Sequence, residues 1–246
     1  MIKNFAQTYR TAWRFLLAFP ALIAVPIVIE FVQHIIEIRH GMYVDRAGAL
    51  AAESDQLRLG WGMVKSLALT VVIYWMARFT AGLDRRRVGA IEALPARLFA
   101  MVLLFQTVVT ALSMWGGDVL RSLGVPDAAM MPFGIGYMVA LLFLGILLEP
   151  WKVAAALGNP SLGWSRSIAM VVPILPWSFA FTLAMMLPLL VVHYLAAGLA
   201  LGSPPMMVWA LMIADAVLVG YLAAVLAATS VVIARRAAER SESALA

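Results

Sequence analysis

Apolar residues along this 246-residue chain fall into six long runs separated by short polar stretches. A helix needs roughly 20 mostly apolar residues to cross about 30 Å of hydrocarbon. Runs at about 18–38, 61–83, 96–115, 131–148, 177–201 and 206–234 meet that need or come close to it. They predict an all-α integral membrane protein with six transmembrane helices. The fourth run is short and carries Gly134, Gly136 and Gly145. The longest polar stretch, from about Arg39 to Gly60, is too short for a second domain, so 1–246 reads as one transmembrane domain.

A different pattern leads into three of the spans. Within 1–17, Phe5, Tyr9, Ala12, Trp13 and Leu16 recur at helical spacing, and Lys3, Gln7, Arg10 and Arg14 fall elsewhere on the wheel. This predicts an amphipathic helix on the inner membrane surface before the chain turns in at Pro20. Asn159, Pro160 and Ser161 look like a helix start. Trp164, Ile168 and Val171 or Val172 then form a stripe beside Ser165 and Arg166, ended by Pro173 and Pro176. A shorter lead-in, Val88–Leu94, ends at Pro95. The chain thus reads as three hairpins, each with a cytoplasmic lead-in. A cleavable signal peptide has an apolar core of only ~7–15 residues. The longer first run, with Pro20 and Pro26, predicts a retained span instead.

Charge sets the direction of the spans. Alternate gaps hold Lys3, Arg10, Arg14; Arg78, Arg85, Arg86, Arg87, Arg97; Lys152, Arg166; and Arg235, Arg236, Arg240, thirteen of the 18 basic residues. The remaining five, Arg39, Arg46, Arg58, Lys65 and Arg121, belong to the other side. The positive-inside rule therefore places both termini in the cytoplasm. The net charge of +5 flanks apolar spans rather than forming an aromatic-laced soluble patch, which argues for anionic headgroups as partners and against nucleic acid. Arg85, Arg86 and Arg87 are the expected cytoplasmic lipid or partner contacts.

Composition agrees. The chain is 64% hydrophobic and 13% charged, where soluble domains run at about 45–50% and 25%. It has no cysteine, which removes disulfides and thiolate chemistry. Arginine outnumbers lysine 15 to 3, a bias of GC-rich bacterial genomes, so a bacterial cytoplasmic (inner) membrane is expected. Trp61, Trp115 and Trp209 on one side, and Trp13, Trp151, Trp164 and Trp177 on the other, suit interfacial belts.

Two stretches, Thr11-Ala-Trp-Arg-Phe-Leu-Leu and Gly163-Trp-Ser-Arg-Ser-Ile, resemble the basic, tryptophan-containing lead-ins of bacterial six-span YciC-like inner-membrane proteins. They are also similar to those in the membrane domains of some glycerophosphodiester phosphodiesterases. The resemblance implies the six-span architecture and assigns no functional residue.

Polar groups inside the spans are the candidate chemistry, because a charge at mid-bilayer costs about 2.5–3.5 kcal/mol. Glu30, Gln33, His34 and Glu37 are spaced by three, four and seven residues, one helical face. Span direction puts that face, Lys65, His193 and Asp215 in the outer half, with Gln106 near the middle of the third span. Lys65 is expected to neutralise Glu30 or Glu37, and His34 to bond Asp215 or Glu30. Such a set can be a structural salt-bridge network, can lie partly among headgroups, can relay protons or hold a cationic headgroup, or can ligate a divalent metal. No cofactor is assigned. Glu149 should pair with Lys152 or Arg166. In the sixth span, Ala216, Gly220, Ala224 and Ala228 recur every fourth residue, a stripe that admits a close helix, internal or from a second subunit.

There is no phosphate loop, no Gly-x-Ser-x-Gly elbow and no His-Glu-x-x-His. The expected function is a non-enzymatic accessory or assembly subunit, or an envelope-maintenance protein, with a membrane protein or a second copy as partner. The alternatives are a transporter component using the outer polar face, helped by Pro26 and Pro188, and an intramembrane lipid-acting enzyme.

Overall fold

A computed structural model describes residues 2–246, apart from the side chains of Ile2, Lys3 and Asp127. Lys3, counted among the basic residues, therefore lies outside the described side chains. The chain is all-helical among the described residues: α1 (Ile2–Ala18), α2 (Pro20–Arg39), α3 (Arg46–Glu53), α4 (Gln56–Thr80), α5 (Arg85–Gly89), α6 (Ala93–Ser122), α7 (Asp127–Leu147), α8 (Glu149–Leu157), α9 (Trp164–Val171), a 3-10 turn (Val172–Ile174), α10 (Leu175–Ala200) and α11 (Pro205–Arg240). Six helical segments are long and apolar enough to cross a membrane, and they coincide with the six runs. These features define a multi-pass helical membrane protein.

Local signals explain the boundaries. Asp45, Asp55 and Asp84 cap α3, α4 and α5, each accepting the backbone N–H three residues on, at 2.8, 2.7 and 2.9 Å. Pro20 and Pro205 occupy first helical positions, where a missing N–H costs nothing. The Asp55 cap starts α4 five residues before the expected span, which brings Arg58 onto the helix. Asn159 does not start a helix. Its side chain accepts from Ser161 in a local turn, and α9 begins at Trp164. Pro26 and Pro188 lie inside continuous helices and break neither.

α11 is the axis of the bundle, packing on α10, α4, α2, α1 and α8. Its most apolar stretch is 72% buried, against 6% for α7, which meets the rest of the protein only lightly. The main core joins Phe15, Ile23, Val72, Met76, Phe181 and Met185 to the alanines of α11. α1 is packed as well as amphipathic: Thr8, Ala12 and Phe15 are buried, while Trp13 stays exposed. Of the expected stripe, Ala12 is buried and Phe5, Tyr9 and Leu16 pack against the core, whereas Trp13 meets Tyr221 at its edge and stays exposed. Asn4, Thr8, Arg235 and Arg236 line one cavity, so the first and last helices lie side by side.

The small-residue stripe packs internally. Ala216, Ala224 and Ala228 are buried, and a Cβ at Gly220 would overlap the Ile27 side chain, so α2 lies directly on α11. That close approach positions the polar face of α2.

Candidate functional site

The polar face of α2 is turned into protein: Glu30, Gln33, His34 and Glu37 are all buried. Opposite stand Asp215 of α11, His193 of α10, and Lys65 with Arg58 of α4. Glu30, Gln33, His34, Glu37, Lys65, His193 and Asp215 of the sequence-derived polar groups meet here. Gln106 does not; its amide donates to Thr110 Oγ1 at 3.1 Å in a separate cleft of about 460 Å³ beside α7.

His34 is the hub. Its Nδ1 lies 2.8 Å from Glu37 Oε2, its Nε2 3.0 Å from Asp215 Oδ2 and 3.5 Å from Glu30 Oε1. An imidazolium donates to both carboxylates. A neutral ring with Nδ1–H held by Glu37 instead turns the Nε2 lone pair toward Asp215 and Glu30. His193 Nδ1 lies 2.8 Å from both Asp215 oxygens. One His193 face is open, its side chain 20% exposed while that of Asp215 is 1% exposed.

Cations close the two flanks. Lys65 Nζ donates to Glu30 Oε1 at 3.2 Å and lies 3.0 Å from Oε2. Arg58 Nε donates to Glu37 Oε1 at 2.9 Å, and Gln33 Nε2 to the same oxygen at 3.2 Å. Tyr43, in the turn after α2, donates to Glu37 Oε2 at 2.8 Å. Burial and the Glu37 carboxylate push the Tyr43 phenol well above its ordinary range, so it remains a protonated donor. Glu37 is therefore held by protein rather than lying among headgroups.

Arg58 and Tyr43 were not among the expected members. Arg58 precedes Lys65 by seven residues, the spacing of one helical face, so the sequence carried a signal for it. Tyr43 lies beyond the turn at Gly41, and Gly202 N donates to its carbonyl at 2.9 Å, tying that turn to the one between α10 and α11.

A second buried charge, which the sequence presents only as a topology marker, is Arg78. Arg78 is 1% exposed and donates to Arg87 O, Ala156 O and Glu92 Oε1 at 2.7–3.5 Å. Arg87 also pairs with Glu92, at 2.9 Å. Arg85 lies over Phe19, and Arg85, Arg86 and Arg87 are exposed. Glu149 pairs with Lys152 at 3.0 Å, whereas Arg166 donates to Ser243.

No family model matches this chain, and no curated protein or solved structure matches it either. Function must be argued from the geometry alone.

Proposed function

We propose that this protein is a non-enzymatic accessory or assembly subunit of a bacterial cytoplasmic-membrane complex, with both termini in the cytoplasm. The observation that carries the reading is α7. It is a span-length helix with 6% of its apolar stretch buried, and Met131, Phe133, Ile135 and Met138 stand exposed on it. Short loops leave the membrane-embedded faces as the main surface available to a partner, and α7 is the least used of them. The asymmetry of thirteen basic residues to five supports cytoplasmic termini, and anionic headgroups suit the exposed Arg85–Arg87 run. Three hairpins fit this orientation.

Purification in a mild detergent or polymer disc, followed by native mass spectrometry, tests the reading. A second chain, identical or different, should co-purify in fixed ratio. A strictly monomeric protein carrying lipid alone overturns it.

A transporter component is the second reading, favoured by one observation. Ionisable side chains from four spans converge, and His193 leaves the cluster partly open. Loss of uptake or export in Glu30→Gln, His34→Gln and Asp215→Asn variants that still fold would favour it over the subunit reading.

A further inference from the structure

The geometry points to a divalent metal site formed by Glu30, His34, His193 and Asp215, a closed clasp joining α2, α10 and α11. Glu30, His193 and Asp215 each place a ligand atom within 4.8 Å of the others, and His34 Nε2 is 3.0 Å from Asp215 and 3.5 Å from Glu30. Four ligands around a tetrahedral ion, at metal bonds of about 2.0–2.2 Å, stand roughly 3.3 Å apart. The close pairs, at 2.8–3.5 Å, need shifts of a few tenths of an ångström, and a pair at the 4.8 Å limit must close by about 1.4 Å.

Three further observations distinguish this from a cluster of acids. First, two of the four groups are imidazoles. Second, Glu30 is 1% exposed, and its Oε2 accepts no hydrogen bond and meets only the ion-pair partner Lys65, whose Nζ is 3.0 Å away. A buried carboxylate oxygen without a donor is costly unless something else takes its lone pairs. Third, the supporting groups are those that metal-bound histidine requires. Glu37 holds His34 Nδ1 at 2.8 Å, which fixes the ring and leaves Nε2 as ligand, and Arg58 and Tyr43 hold Glu37 in turn.

The donor set selects the ion. Two imidazoles with two carboxylates suit Zn²⁺, or Fe²⁺ and Mn²⁺ in second place, and disfavour Ca²⁺ and Mg²⁺, which take oxygen alone. With four protein ligands and Glu30 and Asp215 buried, the ion has no vacant coordination position for a reacting water. The clasp is therefore structural, consistent with a non-enzymatic protein, and it does not depend on the subunit reading.

Chelator-stripped full-length protein in detergent is titrated with Zn²⁺ by calorimetry, and its metal content is measured after desalting. Wild type should retain one zinc per chain and melt at a higher temperature with zinc than with chelator. Asp215→Asn and His193→Gln should each weaken zinc binding at least about tenfold, the scale seen for losing even a supporting partner, with unchanged elution volume. Glu149→Gln, outside the cluster, should bind as wild type. Substoichiometric zinc in wild type, or wild-type affinity in the two cluster variants, overturns the site. Should those variants fail to fold, X-ray absorption of zinc-loaded wild type decides. Imidazole scattering with nitrogen and oxygen neighbours supports the clasp, and an oxygen-only shell overturns it.

Discussion

Arg78 and Glu30 are equally buried, at 1% exposure, but their partners differ in kind. Arg78 rests mainly on backbone. The carbonyl oxygens of Arg87 and Ala156, which accept from it, lie in the last turns of α5 and α8, where helices leave carbonyls unpaired and carry partial negative charge. One carboxylate, Glu92, completes the shell. Glu30, in contrast, has only titratable or rotatable side chains around it: Lys65 and His34, with Asp215 and His193 beyond. Fixed carbonyl dipoles lock a charge in one arrangement. Side-chain partners can be exchanged for a ligand. The Arg78 network is accordingly a fastening between α4, α5, α6 and α8, and the α2–α10–α11 cluster is the place where binding chemistry can occur.

The largest effect expected is at the fastening. Arg78→Met removes the guanidinium that donates to the Arg87 and Ala156 carbonyls and to Glu92, and should cost about 3–5 kcal/mol, the range for breaking one side of a buried charge network. Arg78→Lys should not restore it, because a single ammonium cannot reproduce the guanidinium fork. Chemical denaturation in mixed micelles measures both. Full rescue by lysine would mean that charge alone, rather than directed donation to carbonyls, holds this end.

A smaller loss is expected where packing sets up the cluster. Gly220→Ala places a methyl group against Ile27 and should cost about 1–3 kcal/mol as overpacking. It also pushes α2 from α11, and so His34 from Asp215. Ile27→Val in the same chain should return part of the loss, and equal stability of single and double variants would remove the coupling between stripe and cluster.

The smallest effect concerns the approach to Arg58. The Arg58 backbone N–H, with His40 at 2.8 Å, holds the partly exposed Asp55 carboxyl below its ordinary range. A lowered folded value means that the cap contributes fully above the ordinary carboxylate range and is lost as pH falls through the lowered value. The protection factors of the first-turn amides of α4, corrected for the intrinsic slowing of exchange in acid, should therefore fall on acidification, and Asp55→Ala should show low protection at every pH. A first turn that stays protected in acid would show that tertiary contacts, not the cap, hold Arg58 in reach of Glu37.

Much of this was legible in the chain because it is periodic. Six apolar runs gave six span-length helices, and the spacing of Glu30, Gln33, His34 and Glu37 marked the one polar face of α2. The prolines around 173–176 marked a real break, a 3-10 turn between α9 and α10, whereas α2 and α10 run straight through Pro26 and Pro188. Misreadings arose where a residue's role depended on a remote partner. Arg78 looked like one more basic residue beside a membrane. Only the convergence of α5, α6 and α8 makes it the most deeply buried arginine or lysine among the described residues.

By itself the sequence determined which segments are helices, which are apolar enough for a bilayer and which face of the first span must avoid lipid. These follow from local periodicity and from the cost of charge in hydrocarbon, which act on each segment separately. Tertiary structure decided what that face meets. His34 and Asp215 are 181 residues apart in the chain. Their contact exists because Gly220 lets α2 lie on α11, a packing term that no single segment contains.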